Sequence, residues 1–171
     1  MNYATIKDYD IANGPGVRVS LFVSGCVHHC KDCFNPEAWD FDYGKPFTET
    51  VMERILTMMR SEYIRGITYL GGEPFDPHNQ PGLLELTRKI RAAYPDKSIW
   101  SFTGYVYGQN LPQLPGVTEE LLAGLDVLVD GPFIASLKNL GLRFRGSENQ
   151  RLIDMPKTLR TGAVVLWDET Q

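Results

Sequence analysis

Apolar and polar positions along the chain alternate between a period of two and a period near three and a half. VRVSLFVS (residues 17 to 24) is a run of β-branched and apolar residues that stops at Gly25-Cys26, which predicts a strand with a loop leaving its C-terminal end. Further on the period lengthens. Val51, Met52, Ile55, Leu56, Met59 and Tyr63 recur at three- and four-residue steps, and Thr50 with Glu53 has capping-box spacing, so a helix is predicted from about Thr50. GITYL (66 to 70) predicts a second short strand, ended by Gly71-Gly72-Glu73-Pro74. Pro81 suits the first turn of a second helix, with Leu83, Leu86, Ile90, Ala93 and Tyr94 on its apolar face. SIWSFTGY (98 to 105) predicts a third strand, Thr118 opens a short helix, and LDVLVDGP (125 to 132) predicts a fourth strand broken by Gly-Pro. Beyond it the pattern weakens, and GAVVLW (162 to 167) is the one clear late strand.

Strands separated by helices of this length imply βα units, so the predicted fold class is α/β with a mainly parallel sheet. Two closures compete. A doubly wound open sheet binds its ligand at a switch point in strand order, whereas a barrel carries its chemistry on the loops after each strand. Both put the informative residues at strand C-termini: Cys26, Gly71 to Pro74, Thr103 to Tyr105 and Asp130 to Pro132. A full barrel takes about 250 residues. With 171 residues this chain can close only part of one, which predicts an open side.

A chain of this length with 43% hydrophobic residues is expected to form a single domain, residues 1 to 171. A formal charge of -4 supplies no positive field for nucleic acid or an anionic membrane surface. No apolar stretch approaches the roughly 18 residues of a membrane span. The opening MNYATIKDYD has neither the basic flank nor the apolar run of a signal peptide, so a cytoplasmic location is expected.

The chain has three cysteines, all within CVHHCKDC at residues 26 to 33. An odd count cannot be fully paired, and in a reducing compartment close thiols serve metal or redox chemistry more often than structural disulfides. A structural zinc or a fully protein-bound iron-sulfur cluster takes four ligands. Three thiolates leave one iron of a 4Fe-4S cube without a protein ligand, a place where a small molecule could bind. A zinc-stabilised, non-catalytic binding module is the competing reading, with His28, His29 or the remote His78 completing the site. Both His28 and His29 lie inside the tight loop between Cys26 and Cys30, where reaching the same metal is strained, and no distant cysteine supplies a second ligand pair.

Cys26-x3-Cys30-x2-Cys33 after one strand, followed by Gly71-Gly72-Glu73-Pro74 after the next, resembles the radical S-adenosylmethionine enzymes. Within them the short chain, CVHHCKDCFNPEAWD, the SFTGY strand and the late FRGSENQRLID stretch resemble the anaerobic ribonucleotide reductase activating proteins, from the N-terminus to about Asp154. One position departs from the pattern: the residue before the third cysteine, often apolar or aromatic in such enzymes, is Asp32, which excludes a stacking side chain there.

The resemblance implies a partial, open βα barrel of the radical S-adenosylmethionine type. It implies that Cys26, Cys30 and Cys33 hold three irons of a 4Fe-4S cluster while the methionyl amine and carboxylate of S-adenosylmethionine chelate the fourth. Reduction, in such families often by flavodoxin, then breaks the C–S bond, and the 5'-deoxyadenosyl radical takes a hydrogen atom from a backbone glycine of the partner, anaerobic ribonucleotide reductase. Glu73, beside Gly71 and Gly72, is the expected acceptor for the methionyl amine, and Asp32, Cys33 and Phe34 form the adenine side. Thr103 and Asp130 fall at strand ends where ribose hydroxyls could bind. Arg143, Arg145 and Arg151 are candidates for the methionyl carboxylate or for the partner's glycine loop, and solvated surface arginines are the alternative. Cys30→Ala is expected to lose the cluster and His28→Ala to keep it. An activase of pyruvate formate-lyase or another glycyl-radical enzyme is the runner-up; such relatives share the cysteine loop but generally run longer.

Overall fold

The structure is a computed structural model that describes residues 1–170. Strands β1 (Asn2–Asp10), β2 (Val17–Val23), β3 (Lys45–Pro46), β4 (Ile64–Gly71), β5 (Ser98–Phe102), β6 (Val127–Asp130) and β7 (Arg151–Asp154) form one sheet in the order β3-β1-β2-β4-β5-β6-β7. The four central strands, β2, β4, β5 and β6, are parallel, and β1 and β7 flank them antiparallel. The sheet is mixed, with β3 and β7 as its two edges, so it is not closed. The fold class is therefore α/β, with the parallel strands where the apolar runs predicted them.

Helices α1 (Glu49–Met58), α2 (Gln80–Ala93), α3 (Thr118–Ala123) and α4 (Met155–Thr161) complete the fold. Met52 and Ile55 of α1, Leu83, Leu86 and Ile90 of α2, and Leu121 of α3 share a core with Val19, Leu21, Ile67, Tyr69, Ile99 and Leu128 of the sheet. The next residues along the strands point the other way, as the two-residue period requires. Trp100, Val127 and Val129 form a second cluster there with Leu152, Phe144 and Trp167. One sheet face is thus covered by helices, and the other is filled by aromatic residues from late loops.

Several expectations shift. The first helix is capped by Thr48, whose side chain accepts from the Val51 N–H, so the helix starts earlier than Thr50 and ends before Tyr63, which is 70% exposed. Ala93 closes α2 on its exposed side instead of facing the core. The predicted strand at 162 to 167 is not one. Gly162 takes a left-handed conformation (φ 75°) that ends α4, and the following segment makes a single bridge, Leu166 to Ile153. Three strands were not foreseen: β1, whose residues are mostly polar or half-exposed, the two-residue β3 and the four-residue β7. Among the described residues no helix is long and apolar enough to cross a membrane.

Candidate functional site

The site begins with register. Val23 of β2 pairs with Gly71 of β4, and the two chains stay together past the sheet: Gly72 N–H donates to Val23 C=O (2.7 Å) and Glu73 N–H to Gly25 C=O (2.7 Å). This close approach needs glycine, because a Cβ on Gly72 would stand 2.5 Å from the Gly25 carbonyl oxygen. Asn79 bridges both segments, its amide donating to Ser24 C=O (3.0 Å) and Glu73 C=O (2.9 Å). The cysteine loop then closes on itself, with Gly25 N–H on Ala38 C=O (2.8 Å) and Cys26 N–H on Trp39 C=O (3.2 Å).

Inside that loop two residues other than glycine have positive φ, His29 at 48° and Asp32 at 61°. His and Asp are among the residues that tolerate this region best. Cys33 N–H donates to Cys30 C=O (3.2 Å), so Asp32 is the third residue of a tight turn, the position that demands positive φ in several turn types. His29 stacks on Trp39, ring centroids 4.4 Å apart. These features bring Cys26, Cys30 and Cys33, all free thiols, into the lining of a cleft of about 590 Å³.

The cleft lies over the C-terminal ends of the parallel strands. Cys26 follows β2, Gly71 to Glu73 end β4, Thr103 and Gly104 follow β5, and Gly131 follows β6. Phe34 also lines it, 81% exposed, beside Phe133 (5.8 Å) and under the Lys138 ammonium (5.9 Å). Burial pushes the Cys26 thiol up to about 11; hydrogen bonds from the His28 and His29 backbones pull it down, and the Glu73 and Cys30 charges add to the rise.

Glu73 is 1% exposed and its carboxylate is the hub of the site. Oε1 accepts from Phe75 N–H (2.8 Å) and the Thr103 hydroxyl (2.8 Å); Oε2 accepts from Gly104 N–H (2.8 Å) and is 2.6 Å from His28 Nε2. Thr103 is thereby committed to Glu73. Asp130 is buried away from the cleft lining, its carboxylate held by Arg151 (2.5 and 3.0 Å) and by Tyr107 N–H (2.8 Å). That ion pair holds the Arg151 guanidinium above its ordinary range. Asp32 is exposed and also outside the lining. Of the three arginines only Arg145 reaches the cleft, paired with Glu169 (2.9 Å); Arg143 lies on the rings of Phe144 and Trp167. His78 is exposed at an edge of Phe41 and is not among the residues lining the cleft. His28 was the residue that sequence reasoning set aside, since nothing in its spacing announces a partner 45 positions away.

A single zinc ion draws every ligand to one point, with Zn–S near 2.3 Å. Among the described residues no three His, Cys, Asp or Glu side chains converge in that way. A cubic cluster gives each thiolate its own iron, so three thiols that line one cleft without converging on a single point match the donor set of a cluster better than that of zinc.

Comparison with known proteins agrees. Residues 12–153 match the family model described as a 4Fe-4S single cluster domain. The chain is 42% identical over 152 residues to the anaerobic ribonucleoside-triphosphate reductase-activating protein of Escherichia coli, covering 88% of this chain and 96% of that one. The proteins of the same name from Vibrio cholerae and Haemophilus influenzae are 41% and 38% identical, each over 152 residues, with the same shares of each chain covered. At this identity over nearly the full length of these relatives, the chain belongs to the family of anaerobic ribonucleoside-triphosphate reductase-activating proteins, built on a 4Fe-4S single cluster domain.

Proposed function

We propose that this chain activates an anaerobic ribonucleoside-triphosphate reductase by generating a glycyl radical on it, with a 4Fe-4S cluster on Cys26, Cys30 and Cys33 and S-adenosylmethionine at the remaining iron. One observation carries this reading. The three thiols line one cleft at the ends of parallel strands, and the chain has no fourth cysteine. When bound, the cluster and its cosubstrate supply one-electron cleavage of a sulfonium and abstraction of a hydrogen atom.

The protein's own residues bind, orient and shield. The Gly71–Glu73 turn is the methionyl amine side of the cleft. Phe34, aromatic and free on one flank, is the adenine side together with the backbone of Asp32 and Cys33. Arg145, paired with Glu169, lines the cleft together with Lys7 and Lys138. The open side of the sheet is the entrance for the reductase's glycine loop, which makes the fold a partial βα barrel acting as one domain over residues 1 to 171. A cytoplasmic setting with an electron donor of the flavodoxin class completes the proposal, supported by the reducing conditions that three free thiols require.

The test is anaerobic purification and reconstitution. The expected protein is brown, carries about four irons with matching sulfide, cleaves S-adenosylmethionine once reduced, and gives a glycyl-radical doublet in electron spin resonance with the reductase. A colourless chain with one zinc, or a doublet formed with pyruvate formate-lyase but not with the reductase, overturns it.

A further inference from the structure

Three of the four donors on Glu73 come from the segments that follow β4 and β5. The fourth comes from the cysteine loop itself: His28 is the middle residue of the spacer between Cys26 and Cys30. A carboxylate offers about four lone-pair sites, all acceptors. With two backbone N–H groups and a hydroxyl already donating to it, Glu73 accepts again, and His28 Nε2 carries the proton it donates. The space for the imidazole is prepared by its neighbours. A Cβ on Gly104 would stand 2.5 Å from His28 Cδ2, and Tyr105 meets the ring edge-on at 4.5 Å between centroids.

We propose that His28 is a positioning residue for the cluster: its Nε2–H bond to Glu73 pins the spacer between Cys26 and Cys30 to the ends of β4 and β5 and so sets where those two thiols stand. This rests on the cluster reading above. It revises the expectation that His28→Ala is silent, and it gives Glu73 a different part. With its lone pairs filled, the carboxylate organises the two loops, and the methionyl amine is left to the backbone of Gly71 and Gly72.

The experiment needs neither cosubstrate nor reductase. The anaerobically reconstituted full chain is mixed with an iron chelator, and loss of the cluster's visible absorbance is timed. His28→Ala is expected to release iron about tenfold faster or more, the scale seen when a residue supporting a metal ligand is removed. His28→Gln places an amide N–H near the same point and restores a release rate within about twofold of the parent, with an unchanged spin-resonance spectrum of the reduced cluster. Gly104→Ala, which pushes the imidazole off Glu73 from outside the loop, speeds release as His28→Ala does. Parent-like release by His28→Ala overturns the proposal alone, as does a His28→Gln cluster that is lost as fast as in His28→Ala with an altered spectrum, the mark of a lost ligand. A parent chain that takes up no iron and sulfide overturns the cluster reading and the proposal together.

Discussion

Asp32 shows how a residue chosen for its backbone can look like a departure in chemistry. Its side chain is exposed and makes no contact with the cleft, and what the loop takes from it is φ at 61°, which lets the chain turn between Cys30 and Cys33. Asp32→Gly is therefore expected to keep the cluster, and Asp32→Val to cost about 1–2 kcal/mol in urea unfolding of the cluster-free chain, the scale of forcing a branched residue into the left-handed region. Equal stability of the two variants removes the conformational explanation. That the three cysteines come together at one site was legible from spacing alone, because thiols this close in sequence cannot be carried far apart. The roles of Thr103 and His28 were not, because each depends on Glu73, a residue 30 or 45 positions away that only folding brings near.

At the level of elements, strands buried on both faces announced themselves as continuous apolar runs, and β2, β4, β5 and β6 were all foreseen within a few residues. The strands that were missed lack that signature. β1 buries little beyond Tyr3 and Asp10, β3 is two exposed residues, and β7 is too short to show a period, although Asp154-Met-Pro and Gly162 are ordinary start and stop signals for α4. The first helix illustrates competition between two plausible caps. Thr48 lies in the extended conformation that an N-cap requires and Thr50 is already inside the helix. Thr48→Ala should cost about 0.5–1 kcal/mol, near the lower end for a cap because its bond to Val51 N–H is 3.4 Å long, while Thr50→Ala should be within about 0.5 kcal/mol of neutral. Thermal melts of the two variants decide, and a larger loss at Thr50 would restore the capping-box reading.

Across the whole molecule, the sheet face without helices is stabilised by polar groups as well as by aromatic ones. Arg18 is fully buried, and all five of its N–H groups are used, on Thr68 and Ser98 hydroxyls and on the Pro15, Ile67 and Ser98 carbonyls; burial pulls it down to about 10, so it stays charged at neutral pH. Asp10 lies near it. Burial alone would raise the Asp10 carboxyl, but bonds from Ser20, Ala12 N–H and Asn13, with the Lys7 charge, hold it below its ordinary value. Since the folded pKa is depressed, the unfolded chain takes up the proton first. The stabilisation is complete above the ordinary carboxylate value of about 4 and disappears as pH falls through the folded one. Urea midpoints of the cluster-free chain should drop between about pH 5 and pH 2, and Asp10→Asn should be less stable at pH 6 with a shallower drop; an unchanged slope would show that other carboxylates carry it. What the amino-acid order determined by itself was local: apolar runs, turn residues, and three thiols too close in sequence to be separated by folding. What tertiary structure alone decided was which partners those groups meet, because the sheet's parallel register carries the ends of distant strands to one rim, where a buried carboxylate joins them through hydrogen bonds that no local pattern encodes.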